Sequence, residues 1–172
     1  MIINGNRLLA AKPIRNMVDT KVREHGVSYG LGEAGYDIRI KQDITFLPHH
    51  VGGLMRVQVA SISDGKIVQA NTSWGRFTIA SAMEEFDMPP HVTGIVHDKS
   101  TWARQGLSVF NTVIEPGWKG FLTLELIYHG NDALHIPAGA GIAQVIFHEV
   151  WEPAEYTGKY QNQEDRPVEA RG

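Results

Sequence analysis

Cysteine is absent from all 172 residues. That absence excludes disulfide frameworks, Cys-ligated zinc sites and thiol nucleophiles. Charge of one sign is also lacking. Sixteen basic and nineteen acidic residues leave a net charge of −3, and no run of Lys or Arg forms. Such a balance supplies no field for sequence-independent nucleic-acid binding. No apolar stretch approaches the about 18 residues of a membrane helix. The first residues, Met1 to Gly5, carry no basic segment ahead of an apolar core, so no signal peptide is expected. With the missing cysteine, these features point to a cytoplasmic protein that engages neither nucleic acid nor membrane. Known nucleotide and hydrolase signatures are missing as well: there is no Walker loop, no Gly-x-Gly-x-x-Gly after a strand and no Gly-x-Ser-x-Gly elbow.

What is present is a length that fits one domain able to bury its own core. Helix formers cluster only near the start, in Arg7 to Ala11 and Ile14 to Glu24, separated by Pro13. From Tyr36 onward the texture alternates. Strands are expected at Tyr36–Lys41, Arg76–Ala80, Val92–Val96, Leu107–Thr112, Phe121–Tyr128, Ala133–Ile136 and Ile142–Val150. Turn clusters such as Ser63-Asp64-Gly65, Met88-Pro89-Pro90 and Pro137-Ala138-Gly139 divide them. Short strands at this spacing predict a mainly β sandwich, jelly roll or barrel. The domain is expected to span residues 1–151. Residues 152–172 are polar and aperiodic, and read as a mobile arm that orders on binding.

Lys99 to Gln105 is expected to form one short helix ending at Gly106, with Asp98 or Ser100 as candidate cap. Its hydroxyl-rich start, flanked by Lys99 and Arg104, is either an anion site or an ordinary capped turn. Phe121 to Tyr128 is nearly continuously apolar and reads as a strand buried on both faces, with Glu125 in its middle. A carboxylate there is either a structural ion pair with an arginine or a general acid/base whose pKa burial raises. Trp118, after a Pro-Gly turn, is either a core aromatic or the wall of a flat pocket. The eight histidines show no metal-helix spacing, and His49-His50 read as surface loop residues beside Val51.

Five segments, in order, resemble the dCTP deaminase branch of the dUTPase-like superfamily. Lys99-Ser100-Thr101-Trp102-Ala103-Arg104-Gln105-Gly106-Leu107 is similar to that family's Arg-Ser-Ser-Leu-Ala-Arg-x-Gly-Leu. Ile114-Glu115-Pro116-Gly117-Trp118-Lys119-Gly120 is similar to Ile-Asp-Pro-Gly-Trp-x-Gly. Leu124-Glu125-Leu126 matches the strand of the catalytic glutamate. Gly141 to Phe147 and Gly158 to Gln163 resemble the late strand and the C-terminal lid. The resemblance implies a distorted β-barrel or jelly roll with short helices, assembled as a homotrimer with active sites shared between subunits. The implied reaction is hydrolytic deamination of dCTP at C4 without zinc. Zinc-dependent nucleobase deaminases need a Cys-x-x-Cys pair, so a zinc-free route reconciles the activity with a Cys-free chain.

Carried onto this sequence, the resemblance makes Glu125 the general base. Ser100 and Thr101 would hold phosphate oxygens beside Lys99, and Arg104 would reach the substrate across the subunit boundary. Thr112, Ile114, Glu115 and Trp118 would shape the base and deoxyribose pocket. Tyr156, Lys159 and Gln163 would close over the triphosphate. Magnesium would be held mainly by the substrate's phosphates, leaving no protein metal ligands to find. Three departures stand out. Lys99 replaces an arginine, losing bidentate grip. Glu115 replaces an aspartate, which sets dUTP hydrolysis in question. The Val109–Glu115 loop is about two residues shorter than in the family, opening room for 5-methyl-dCTP; CTP is a further candidate substrate. The alternatives are a bifunctional deaminase/dUTPase or a dUTPase that releases pyrophosphate, and a non-catalytic nucleotide-binding module on the same fold.

Overall fold

The computed structural model describes residues 1–49 and 52–172. The loop reading of His50 and Val51 lies outside them, while His49 is exposed as expected. The chain begins with β1 (Ile2–Ile3) and α1 (Gly5–Ala11), then β2 (Lys21–Glu24), β3 (Val27–Leu31), β4 (Tyr36–Arg39) and β5 (Asp43–Pro48). Next come β6 (Met55–Ser63), β7 (Lys66–Trp74), β8 (Phe77–Asp87), β9 (Val92–Asp98) and α2 (Ser100–Ala103). β10 (Leu107–Val109), β11 (Val113–Ile114), β12 (Lys119–Tyr128), β13 (Leu134–Ile136) and β14 (Gly141–Glu149) complete it.

Three antiparallel sheets enclose one core. The first runs β11-β9-β14-β4-β3-β2, with β1 also on β14; the second is β10-β12-β8; the third is β13-β5-β6-β7. Alternation along the strands builds the core. In β5, Ile44 and Phe46 are buried while their neighbours are half-buried. Tyr36, Phe46, Phe86 and Phe147 are fully enclosed at its centre. The mainly β architecture with short helices is the one that alternation predicts.

The early helical expectation is half correct. Arg7 to Ala11 lies in α1, which stops where Lys12 turns left-handed before Pro13. Ile14 to Glu24 is not helical. Ile14 bridges Phe86, Arg15 donates its amide to Glu85, and Lys21–Glu24 pairs with β3. Backbone pairing across the fold overrides local helix propensity here.

Two buried ion pairs brace the fold. Arg39 Nε meets Glu84 at 2.8 Å, and the Arg39 amide donates to the other carboxylate oxygen at 2.9 Å. This pair joins β4 to β8, and the Arg39 guanidinium also stacks over Tyr29. Lys99 Nζ lies 2.5 Å from Asp37 and donates to Ser28 at 3.0 Å, tying the start of α2 to β3 and β4.

Candidate active site

β12 carries the site. It pairs along its length with β8, and Glu125 stands opposite Ile79. β10 covers its other edge only from Leu126 to Tyr128, with the Phe110 amide reaching the Glu125 carbonyl just beyond. The strand is not buried on both faces, as its apolar run suggested. Leu124 and Leu126 point into the core, Leu122 beside a register shift is buried yet also lines the cavity, and Phe121, Glu125 and Ile127 are half-buried on the opposite face. Leu124 and Leu126 fill one face; the other is the floor of a cavity.

That cavity holds about 670 Å³. Glu125, Glu115, Thr112, Ile114, Trp118, Tyr156 and Gln163 all line it. Seven of the residues singled out by the sequence therefore converge. Trp118 is both core and wall: it is 5% exposed, packs near Phe86 and faces the cavity. Glu125 Oε2 is buried without a hydrogen-bond partner. Burial pushes its pKa up, only partly offset by a backbone hydrogen bond. Among the described residues no cation contributes to that shift, so the arginine ion pair does not form within the chain.

Lys99, Ser100, Thr101, Arg104 and Lys159 do not line the cavity. α2 is a single turn whose cap position is Lys99, with no side-chain cap bond. Neither Asp98 nor Ser100 caps it; Asp98 instead accepts the Val109 amide at 2.7 Å. The turn is held from below, where the Trp102 indole donates to the Gly141 carbonyl at 2.7 Å. Ser100, Thr101 and Arg104 are exposed on its outer side, while the Lys99 ammonium is turned inward to Asp37.

The arm is not loose in this structure. Residues 152–172 form no helix or strand, yet they pack back on the same chain. The Tyr156 amide donates to Pro116, the Trp118 indole donates to Tyr160 and Gln163 bridges Gly120. Its composition hid this because most of the contacts are backbone and amide bonds, with Tyr156 packing against the core. Sequence reasoning did not name Thr78, Thr123, Tyr160 and Val168, which the structure places in the cavity wall. Thr123 had a usable signal: it is two residues from Glu125 on one strand, and so shares its face.

A family model described as dCTP deaminase-like matches residues 8–150. A dCTP deaminase of Acidobacterium capsulatum is 31% identical, with the match covering 95% of this chain and 96% of that protein. One of Protochlamydia amoebophila is 36% identical over 91% and 90%, and one of Campylobacter concisus 37% identical over 89% and 87%. Among solved structures, a mutant dUTPase from phage phi11 of S. aureus superposes with a TM-score of 0.51 at 13% identity, covering 85% of this chain and 95% of that one. It is described as coordinating a structural Mg(II) ion. This likeness shows the fold, a jelly roll of the dUTPase type.

Proposed function

The chain belongs to the dCTP deaminase-like family, and from that premise we propose that it deaminates dCTP hydrolytically at C4, with Glu125 as general base and no zinc. One observation carries the assignment of the base: a carboxylate oxygen that is buried and without a hydrogen-bond partner among the described residues, on the floor of a largely apolar cavity. Such a group holds a proton at a higher pH than an ordinary glutamate, which suits it to take and return protons. Water adds to C4 as its proton passes to Glu125. The C4–O bond forms and Glu125 delivers that proton to N3; the proton of the new C4 hydroxyl then passes to the amino nitrogen, the C4–N bond breaks and ammonia leaves. The uracil nucleotide remains.

The separation of the two residue sets supports a homotrimer with shared sites. Glu125, Trp118 and Gln163 stand at the cavity, whereas Ser100, Thr101 and Arg104 are exposed away from it. A second subunit would present that turn to the triphosphate and Arg104 to Glu125. Lys99 is a weaker candidate for phosphate because Asp37 already neutralises it. Lys159 is exposed on the arm and free to swing toward phosphate only by leaving the Arg171 carbonyl. Thr112, Ile114 and Glu115 border the base and sugar, and Tyr156 closes the arm side.

Magnesium fits as an ion carried by the nucleotide. Among the described residues no three His, Asp or Glu groups gather to hold a metal. When bound, the ion would neutralise phosphate charge; the residues above bind and orient the nucleotide and move the proton. Among the described residues no helix is long and apolar enough to cross a membrane. We propose a cytoplasmic location and no nucleic-acid partner.

The test is a parallel incubation with dCTP, 5-methyl-dCTP, CTP and dUTP, reading ammonium and pyrophosphate separately. Ammonium from dCTP without pyrophosphate supports deamination alone. Pyrophosphate as well as ammonium supports the bifunctional reading. Binding of dCTP without either product supports the non-catalytic module. Turnover of 5-methyl-dCTP equal to that of dCTP would show that the short Val109–Glu115 loop admits a methyl group.

A further inference from the structure

The half of β12 nearest the cavity lacks a strand on one edge. β10 ends its pairing at Leu126, so the backbone around Gly120 and Phe121 would face outward unpaired on that side. An open edge of this kind must be covered by something. The arm covers it. Gln163 forms a parallel bridge with Gly120, and the Phe121 amide donates to the Gln163 carbonyl at 3.1 Å.

The fit depends on the absence of a side chain. A Cβ on Gly120 would lie 2.5 Å from the Gln163 nitrogen and 2.6 Å from its carbonyl oxygen. Gly120 also has a φ of +128°, where other residues are strained. Gly117 makes a second notch, where a Cβ would meet Glu155 Cα at 2.9 Å. Between the notches, Gln161 accepts the Lys119 amide at 2.7 Å and donates to the Gly117 carbonyl at 2.9 Å.

Once seated, the arm is also held by one buried hydroxyl. Thr123 Oγ1 accepts from the Gln163 side-chain amide at 2.5 Å and from the Val168 backbone amide at 3.1 Å. A threonine hydroxyl has two lone pairs, and the arm takes both. Thr123 is 8% exposed and Gln163 7% exposed, and both line the cavity floored by Glu125.

We propose that Gly120 and Thr123 are positioning residues: Gly120 seats the arm's backbone on the free edge of β12, and Thr123 holds the Gln163 amide in the cavity wall beside Glu125. Seating the arm and completing the wall are then one event on one strand. The role in catalysis rests on the deaminase reading of the same cavity; the seating itself does not.

The experiment uses the full chain and the variants Thr123→Val, Thr123→Ser, Gln163→Ala, Thr123→Val with Gln163→Ala, and Gly120→Ala. Each is checked for cooperative unfolding. Trypsin cleavage after Lys159 reads the seating without substrate, and dCTP turnover reads kcat and KM. Valine keeps the volume of threonine but not its hydroxyl, whereas serine keeps the hydroxyl. The expected result is faster cleavage and a KM raised about fivefold in Thr123→Val, the size of one lost hydrogen bond, with kcat changed far less. Thr123→Ser should restore both. In the Gln163→Ala background, Thr123→Val should raise KM less than it does in the wild type, because only the Val168 bond is left to lose. Gly120→Ala should speed cleavage most. Unchanged cleavage in Thr123→Val and Gly120→Ala overturns the seating. Additive effects on KM, or a serine variant as impaired as the valine, overturn the positioning of Gln163. A wild type that releases no ammonium from dCTP overturns the deaminase reading, while the cleavage rates still decide the seating.

Discussion

The indole N–H of Trp118 donates to the carbonyl of Tyr160 at 2.7 Å, so a wall of the cavity is bonded directly to the arm. Trp118 is 5% exposed in part because the arm lies over it. Removing residues 152–172 should therefore do two things. It should raise KM for the triphosphate at least tenfold, and it should lower Tm by uncovering the indole while unfolding stays cooperative. Steady-state kinetics and a thermal melt check both. An unchanged KM would mean that the arm has no part in binding.

Glu125→Gln keeps the shape of the floor and removes the base. Nucleotide affinity, read by calorimetry, should stay within a few fold of the wild type. Ammonium release should fall by about a hundred- to ten-thousandfold, the usual contribution of a general base. Full activity in this variant would assign the base elsewhere.

The same residue sets a pH dependence. A general base works ionised, and burial raises the Glu125 pKa above its ordinary value. The acid limb of kcat/KM should therefore lie at higher pH than an exposed glutamate would set, with activity lost as pH falls through it. Stability runs the other way. Because the folded state holds this proton more tightly than the unfolded chain, ionisation costs stability as pH rises through that window. Glu125→Gln should thus melt no lower than the wild type at pH 7, and its advantage should shrink toward pH 4. A variant less stable at pH 7 would contradict the desolvation argument.

Arg39→Met tests the buried pair between β4 and β8. Glu84 is left with its side chain 1% exposed and no guanidinium beside it. Loss of one partner from such a pair costs about 3 kcal/mol. Burial then holds the Glu84 pKa above its unfolded value, so the stranded carboxyl takes a proton and the deficit should be smaller at pH 5 than at pH 8. Denaturant melts at the two pH values measure this. Equal deficits would mean that Arg39 contributes packing rather than charge.

Much of the sheet structure was legible because one face of each strand is buried. Tyr36 to Lys41 and Val92 to Val96 alternate visibly, and both lie at the core. β7 was not legible, since all nine of its residues are exposed and no face imposes a pattern. β5 and the first half of β6 do alternate, in Ile44 and Phe46 and in Met55 and Val57, and were readable on that signal. The cavity was half legible. Glu125, Glu115 and Trp118 stand in recognisable segments, but Thr78 and Ile79 reach it only through the pairing of β8 with β12, a long-range register that no local pattern encodes. Lys99 shows what local sequence leaves out. Its place beside Ser100 suggested phosphate, and the fold adds Asp37 beneath it.

The Phe121 amide is closed by an oxygen that belongs to the arm. Its hydrogen can exchange with solvent only when that oxygen departs. One backbone position on β12 is therefore a clock for the arm: its deuterium uptake counts openings in the resting protein and should slow as nucleotide fills the cavity.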